Sequence, residues 1–161
     1  MKSRDYPLVT FLEKLRKRED RAALAKLRRG LGKRMGTPEM YPYVVGFLPE
    51  ARAKQEIYFL IAALFASHPE PANWADSMGV VFKKIQGQEP TDSIEKRFLR
   101  LLEADREDVG FHLKQAVSLA KAKGVSVNFH RLMFDLLNWN NEDRFVQLAW
   151  AKDYWIRNKD N

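Results

Sequence analysis

The side chains in this sequence whose types and spacing could do chemistry are cations on helical faces. Between Asp20 and Gly32, Ala23, Leu24, Leu27 and Leu31 fall on one arc at roughly 100° per residue, while Arg21, Lys26, Arg28 and Arg29 fan over the rest. Lys33 and Arg34 follow just beyond the glycines. An apolar stripe of this kind docks on a core, and cations left outside can neutralise phosphates. A plain solvated face, or a patch for an acidic protein partner, would use the same pattern, so those readings stand beside nucleic acid. The pattern recurs later. Ile94, Phe98, Leu101 and Leu102 point one way while Lys96, Arg97 and Arg100 share the opposite arc, and Lys114 and Lys121 lie two turns apart on the next helix. Acids offset these narrower stripes, and a solvated face is the simpler account of each alone.

Other candidates for chemistry are sparse. His68, His112 and His130 form no metal-binding pair at helical spacing. His68 sits in a proline-flanked loop that favours a local hydrogen bond, and the other two read as helix-surface or half-buried residues. Glu103, Asp105, Glu107 and Asp108 cluster where one helix ends and another begins, so capping and dipole interactions explain them more simply than a metal does. There is no cysteine, glycine-rich phosphate loop, serine elbow or HExxH pattern. Trp139, Trp150, Tyr154 and Trp155 could stack on bases, but aromatics at helical spacing belong more often to a core or an interface. The expectation is a protein that is not an enzyme and needs no cofactor or metal.

The elements that must hold these residues are all helical. Pro7 opens a first helix, Asp20 caps a second, and Gly36, Pro38 and Pro42 lead into a short third. Ala51 to Ser67 reads as a helix apolar on every face in its second half, the mark of a buried centre. His68 to Asn73 reads as a loop and Trp74 to Ile85 as a short helix. Asp92 and Glu95 resemble a capping box, and Asp105 a cap for the helix that ends at Gly124. Two further helices, about Phe129 to Asn138 and Glu142 to Arg157, complete the chain. The fold class is therefore all-α, with eight or nine helices in two small packed bundles. Gly87 to Pro90 divides them into an N-terminal lobe, 1–88, carrying the basic face, and a C-terminal lobe, 89–161.

Charge sharpens this picture. Of the net +7, residues 1–34 contribute twelve Lys or Arg against four acids, and the rest of the chain is close to neutral. A concentrated excess makes a local positive potential that an even spread would not. No apolar run reaches the roughly 20 residues a membrane span needs, and no signal peptide is evident, so the expected location is the cytoplasm.

Several strings carry a family resemblance when taken in order. They are Ala22-Ala23-Leu24-Ala25-Lys26-Leu27-Arg28-Arg29-Gly30-Leu31-Gly32, Tyr41-Pro42, the apolar run from Tyr58 to Ala66, the charged run from Glu95 to Glu107, and Trp150-Ala151-Lys152-Asp153-Tyr154-Trp155. From about Phe11 to Trp155 the chain resembles the CasB family, the small subunit of the type I-E CRISPR surveillance complex called Cascade. The resemblance implies a helical, non-catalytic protein, present in two copies beside the backbone and large subunits of a complex built on CRISPR RNA. It further implies a role in holding target DNA, especially the displaced strand, and so favouring the R-loop. The family's basic surface would map to Arg28, Arg29, Lys33 and Arg34, and then to Arg97, Arg100, Arg106, Lys114 and Arg144. Arg106 stands beside Asp105, which offers it a structural ion pair instead. Gln115 stands beside Lys114, where relatives can carry a second cation.

Overall fold

The computed structural model describes residues 5–72 and 76–156. Among these, nine α-helices form and no strand does: α1 (Pro7–Lys17), α2 (Arg21–Arg28), α3 (Tyr41–Val44), α4 (Arg52–Ser67), α5 (Met78–Gln88), α6 (Asp92–Glu103), α7 (Val109–Ala122), α8 (Phe129–Leu137) and α9 (Phe145–Trp155). Short 3-10 turns, Pro38–Met40 and Val45–Phe47, flank α3. The all-α expectation is met.

Local chemistry sets many of the boundaries. Pro7 stands at the start of α1, where its missing N–H costs nothing. The Asp20 carboxylate accepts from the Ala23 N–H at 3.1 Å and so begins α2. Asn128 caps α8 through the Arg131 N–H. Other starts differ from expectation. α5 begins at Met78, capped by the Ser77 hydroxyl, rather than at Trp74, which lies outside the described residues. α6 is preceded by Thr91 with no side-chain cap bond, and Glu95 accepts from the Trp155 indole N–H instead of closing a capping box. At α7 the capping position is Asp108, and Asp105 contributes its backbone carbonyl to the Asp108 and Val109 N–H groups.

α4 is the buried centre. Ile57, Phe59 and every residue from Ile61 to Ala66 are buried, and α1, α2, α7 and α8 pack around it. That arrangement matches a helix without a polar face in its second half. Leu27 is fully buried on α2, whereas Arg28 and Arg29 are exposed, as the stripe requires. The expected division into lobes 1–88 and 89–161 runs between α5 and α6, and α5 packs across it against α9, α6 and α7.

One buried acid ties α8 to α9. The Asp135 carboxylate receives the Trp150 indole N–H at 2.7 Å and the Arg131 Nε at 3.1 Å. Burial pushes this carboxyl up to about 6, against the opposing pull of Arg131 and the Trp150 hydrogen bond, while Asp153 adds a smaller upward push. Because the folded value lies above the unfolded one, the folded chain binds the extra proton, and stability falls as pH rises through the window from about 4 to about 6. Wild type should lose about 2 kcal/mol relative to Asp135→Asn between about pH 4 and about pH 7. Urea unfolding of both proteins at the two pH values measures this. A difference that stays constant across the window would mean the carboxyl titrates normally.

Candidate nucleic-acid interface

Three elements meet around a cleft of about 420 Å³: the turn after α2, the middle of α4 and the start of α7. Gly30, Leu31 and Gly32 form one wall, Leu60 and Ala63 the floor, and Gly110 and Phe111 the opposite wall. The tight wall has a backbone cause. Gly32 and Gly36 adopt φ of +84° and +69°, a region other L-residues rarely enter. A Cβ at Gly36 would stand 2.4 Å from the Phe59 ring, so the turn lies directly against α4. The Lys114 Nζ reaches to 3.9 Å from the position a Gly32 Cβ would occupy, crossing from α7 to this turn.

Lys33, Arg34, Arg106 and Lys114 line this cleft, with Glu56 and Glu107 as its carboxylates. Cations therefore outnumber acids, and two of the four are tethered. Arg34 Nε lies 3.2 Å from Glu56. Arg106 donates to the Ala53 carbonyl at 3.1 Å, so its structural partner is a backbone oxygen and not Asp105. Burial holds the Arg106 guanidinium below its usual value, Glu56 opposes that shift, and Arg34 adds to it. Lys33 and Lys114 make no side-chain ion pair or hydrogen bond among the described residues and present free ammonium groups. A site with preset arginines and unpaired lysines can receive an anion without first breaking strong internal pairs. A wider cleft of about 620 Å³ continues from Arg34 and Arg106 to Arg52.

A smaller cleft of about 190 Å³ opens between α6 and α7, lined by Arg97, Arg100, Gln115 and His112 over the buried Phe82. The α6 stripe produces it. Phe98 and Leu101 turn into the core, which leaves Arg97 and Arg100 outside. Gln115 occupies the cleft wall where a further cation would add charge. On α7 the inward set Val109, Leu113, Ala116, Val117 and Ala120 leaves Phe111, Lys114, Ser118 and Lys121 as one exposed row.

The remaining cations stand apart from these clefts. Arg29 is held by Glu39 through two hydrogen bonds of 2.9 and 3.2 Å, which raise its affinity for its proton and lower that of Glu39. Arg144 donates to the Leu102 carbonyl at 2.8 Å from a left-handed backbone, φ 56°. Arg21 and Arg28 are exposed on α2, with Lys26 half-buried between them, and Lys121 ends the α7 row.

The sequence reading missed Arg52 and Phe111. Phe111 precedes Lys114 by three residues on the same helical face, and that spacing could have exposed it. Of the aromatic candidates it did name, Trp139 and Trp150 are core residues whose rings pack 5.1 Å apart. Trp155 lies against Phe98 and donates to Glu95. His68 bonds the Val125 carbonyl at 2.7 Å, a long-range tie in place of the local one expected. His130 is buried, accepts the Tyr6 N–H and faces Glu13. Among the described residues no group of three or more His, Cys, Asp or Glu could hold a metal ion, and no helix is long and apolar enough to cross a membrane.

Fold and site together define a class: an all-helical protein with cations lining clefts between packed helices. The family model for CRISPR-associated protein Cse2 matches residues 23–155. A CRISPR-associated protein Cse2 from Thermus thermophilus is 39% identical over 139 residues, covering 83% of this chain and 79% of that protein. The crystal structure of CasB from M. ruber superposes with a TM-score of 0.79 at 31% identity, covering 91% of this chain and 90% of that one. A chain of a CRISPR RNA-guided surveillance complex superposes at 0.76 and 28% identity, covering 91% and 88%. This chain belongs to the Cse2 (CasB) family, as the ordered strings suggested.

Proposed function

We propose that the protein is a non-catalytic small subunit of a type I-E CRISPR RNA-guided surveillance complex, Cascade, which works in the cytoplasm in antiviral defence. In this reading it binds nucleic-acid backbone along its cation-lined clefts and stabilises target DNA, above all the displaced strand of the R-loop. The observation that carries it is the convergence of Lys33, Arg34, Arg106 and Lys114, from opposite ends of the sequence half that joins α2 to α7, on one cleft. The likeness to a surveillance-complex chain supports the same reading. Its partners would be the backbone and large subunits with their CRISPR RNA, target DNA and a second copy of itself. Leu148 in the first turn of α9 and Ile156 just past its last residue, both more than half exposed, offer apolar surface for the protein contacts.

The test is salt-dependent binding of the isolated chain to single-stranded and duplex oligonucleotides. Affinity should be weak and indifferent to sequence, and should fall steeply between about 50 and about 200 mM salt as counterions are released. Lys33→Ala with Lys114→Ala should reduce the slope of log K against log salt by roughly 1 to 2 and leave the melting temperature within a degree or two. Binding that ignores salt, or strong discrimination between unrelated sequences, would remove the nucleic-acid reading. A structural adaptor whose basic face meets acidic protein surfaces would then remain.

A further inference from the structure

Phe111 is a large apolar side chain left 62% exposed, the most exposed of its kind among the described residues. Among the described residues it alone lines both the Lys33–Lys114 cleft and the Arg97–Arg100 cleft. Its place in the first turn of α7 fixes it as a ridge between them. The neighbouring Gly110 faces α4, where a Cβ would make an ordinary van der Waals contact with Leu60 at 3.4 Å. The His112 ring stands edge-on to the phenyl ring, with centroids 5.5 Å apart.

Resting on the nucleic-acid reading above, we propose that Phe111 is a base-stacking contact for single-stranded nucleic acid, with the backbone on either side of the stacked base held by the two clefts. A buried aromatic needs no explanation, but an exposed ring with cations on both sides does. A strand's phosphates need the cations, and an unpaired base offers a flat apolar face that the ring can cover. A duplex hides its bases from such a ring. The contact therefore discriminates single strands from duplex without reading sequence, because every base has a stacking face. An abasic strand keeps the phosphates and lacks the bases, so a stacking ring adds to binding of the normal strand alone, whereas a ring kept for a protein partner adds to neither.

The experiment uses the full chain with three probes: a thymidine 20-mer, an abasic strand of equal length and a duplex of equal length. The variants are Phe111→Ala, Phe111→Trp and Phe111→Leu, each checked for an unchanged melting temperature. Phe111→Ala should bind the thymidine strand roughly 5- to 100-fold more weakly, and bind the abasic strand and duplex as wild type does. Phe111→Trp should match or exceed wild type on the thymidine strand, and Phe111→Leu should behave like Phe111→Ala. Equal affinity of Phe111→Ala and wild type for the thymidine strand overturns the proposal, as does an equal loss on all three probes. Wild-type binding of the thymidine strand by Phe111→Leu also overturns it, because a side chain without a ring would then suffice. If wild type binds none of the probes, the nucleic-acid reading itself fails, an outcome distinct from the loss of stacking alone.

Discussion

Replacing Gly79 with alanine will lower the melting temperature by roughly 6–12 °C, corresponding to a loss of about 3 kcal/mol. Helix propensity alone predicts the opposite sign. Alanine gains up to about 1 kcal/mol over glycine in a helix interior, and part of that at the second residue of α5, where Gly79 stands. Packing reverses this, because α5 crosses α9 at Gly79 with no room for a Cβ. That atom would stand 2.1 Å from the Trp150 carbonyl oxygen and 2.9 Å from its Cα. The neighbour is backbone, so no rotamer change relieves the clash, and the helices must separate. Separation would also shift the buried Trp150 ring, whose N–H satisfies Asp135. Gly87→Ala is the control, since it lies in the same helix with nothing within 4 Å of a Cβ. It should leave stability unchanged or raise it slightly. Thermal unfolding of both variants decides the matter, and similar melting temperatures would mean that α5 and α9 do not cross this tightly. The consequence reaches the interface as well. Phe82, one turn beyond Gly79, packs on Phe98 at 4.9 Å and floors the Arg97–Arg100 cleft.

The features legible in the sequence are those that local rules govern. Pro7 at a helix start, Asp20 as a cap and the all-round apolar run of α4 each follow from chemistry within a few residues, and each stands where expected. The exposed faces of α2 and α6 were legible for the same reason, because a periodicity of 3.6 separates Leu27 from Arg28 and Phe98 from Arg97. What periodicity cannot supply is the partner. Arg28 and Arg29 look equivalent in the sequence, yet Glu39, ten residues on, claims Arg29 alone. Arg144 reads as a free cation and Arg106 as a candidate partner of Asp105, yet carbonyls at Leu102 and Ala53 hold them. His68 finds its acceptor 57 residues away. The main cleft belongs to the same category. It requires the turn after α2, α4 and α7 to be brought together, which only tertiary packing specifies.

A surveillance complex carrying Lys33→Ala, Arg97→Ala, Arg100→Ala and Lys114→Ala in this subunit should assemble on its guide RNA normally but release target DNA about 10- to 100-fold sooner than wild type. Opening a duplex against a guide exchanges one double helix for another of similar stability, so modest protein–backbone terms can decide how long the open state persists. These four side chains line the two clefts beside Phe111 and have no ion pair or hydrogen bond of their own among the described residues. Removing them takes away phosphate contacts without orphaning an internal partner. Arg29, Arg106 and Arg144 are left in place because their removal would break contacts within the fold, and a shortened lifetime would then have two causes. Assembly should survive, because the exposed apolar residues Leu148 and Ile156 that would face protein neighbours are untouched. The measurement is the lifetime of the open state in complexes with wild-type subunit, with the fourfold variant and with no small subunit, each at low and at high salt. On the proposed function the variant should resemble the complex without the subunit, and its lifetime should depend less on salt than wild type's. Equal lifetimes for variant and wild type would leave the subunit only an adaptor's part, with its cations facing acidic protein surfaces instead of DNA.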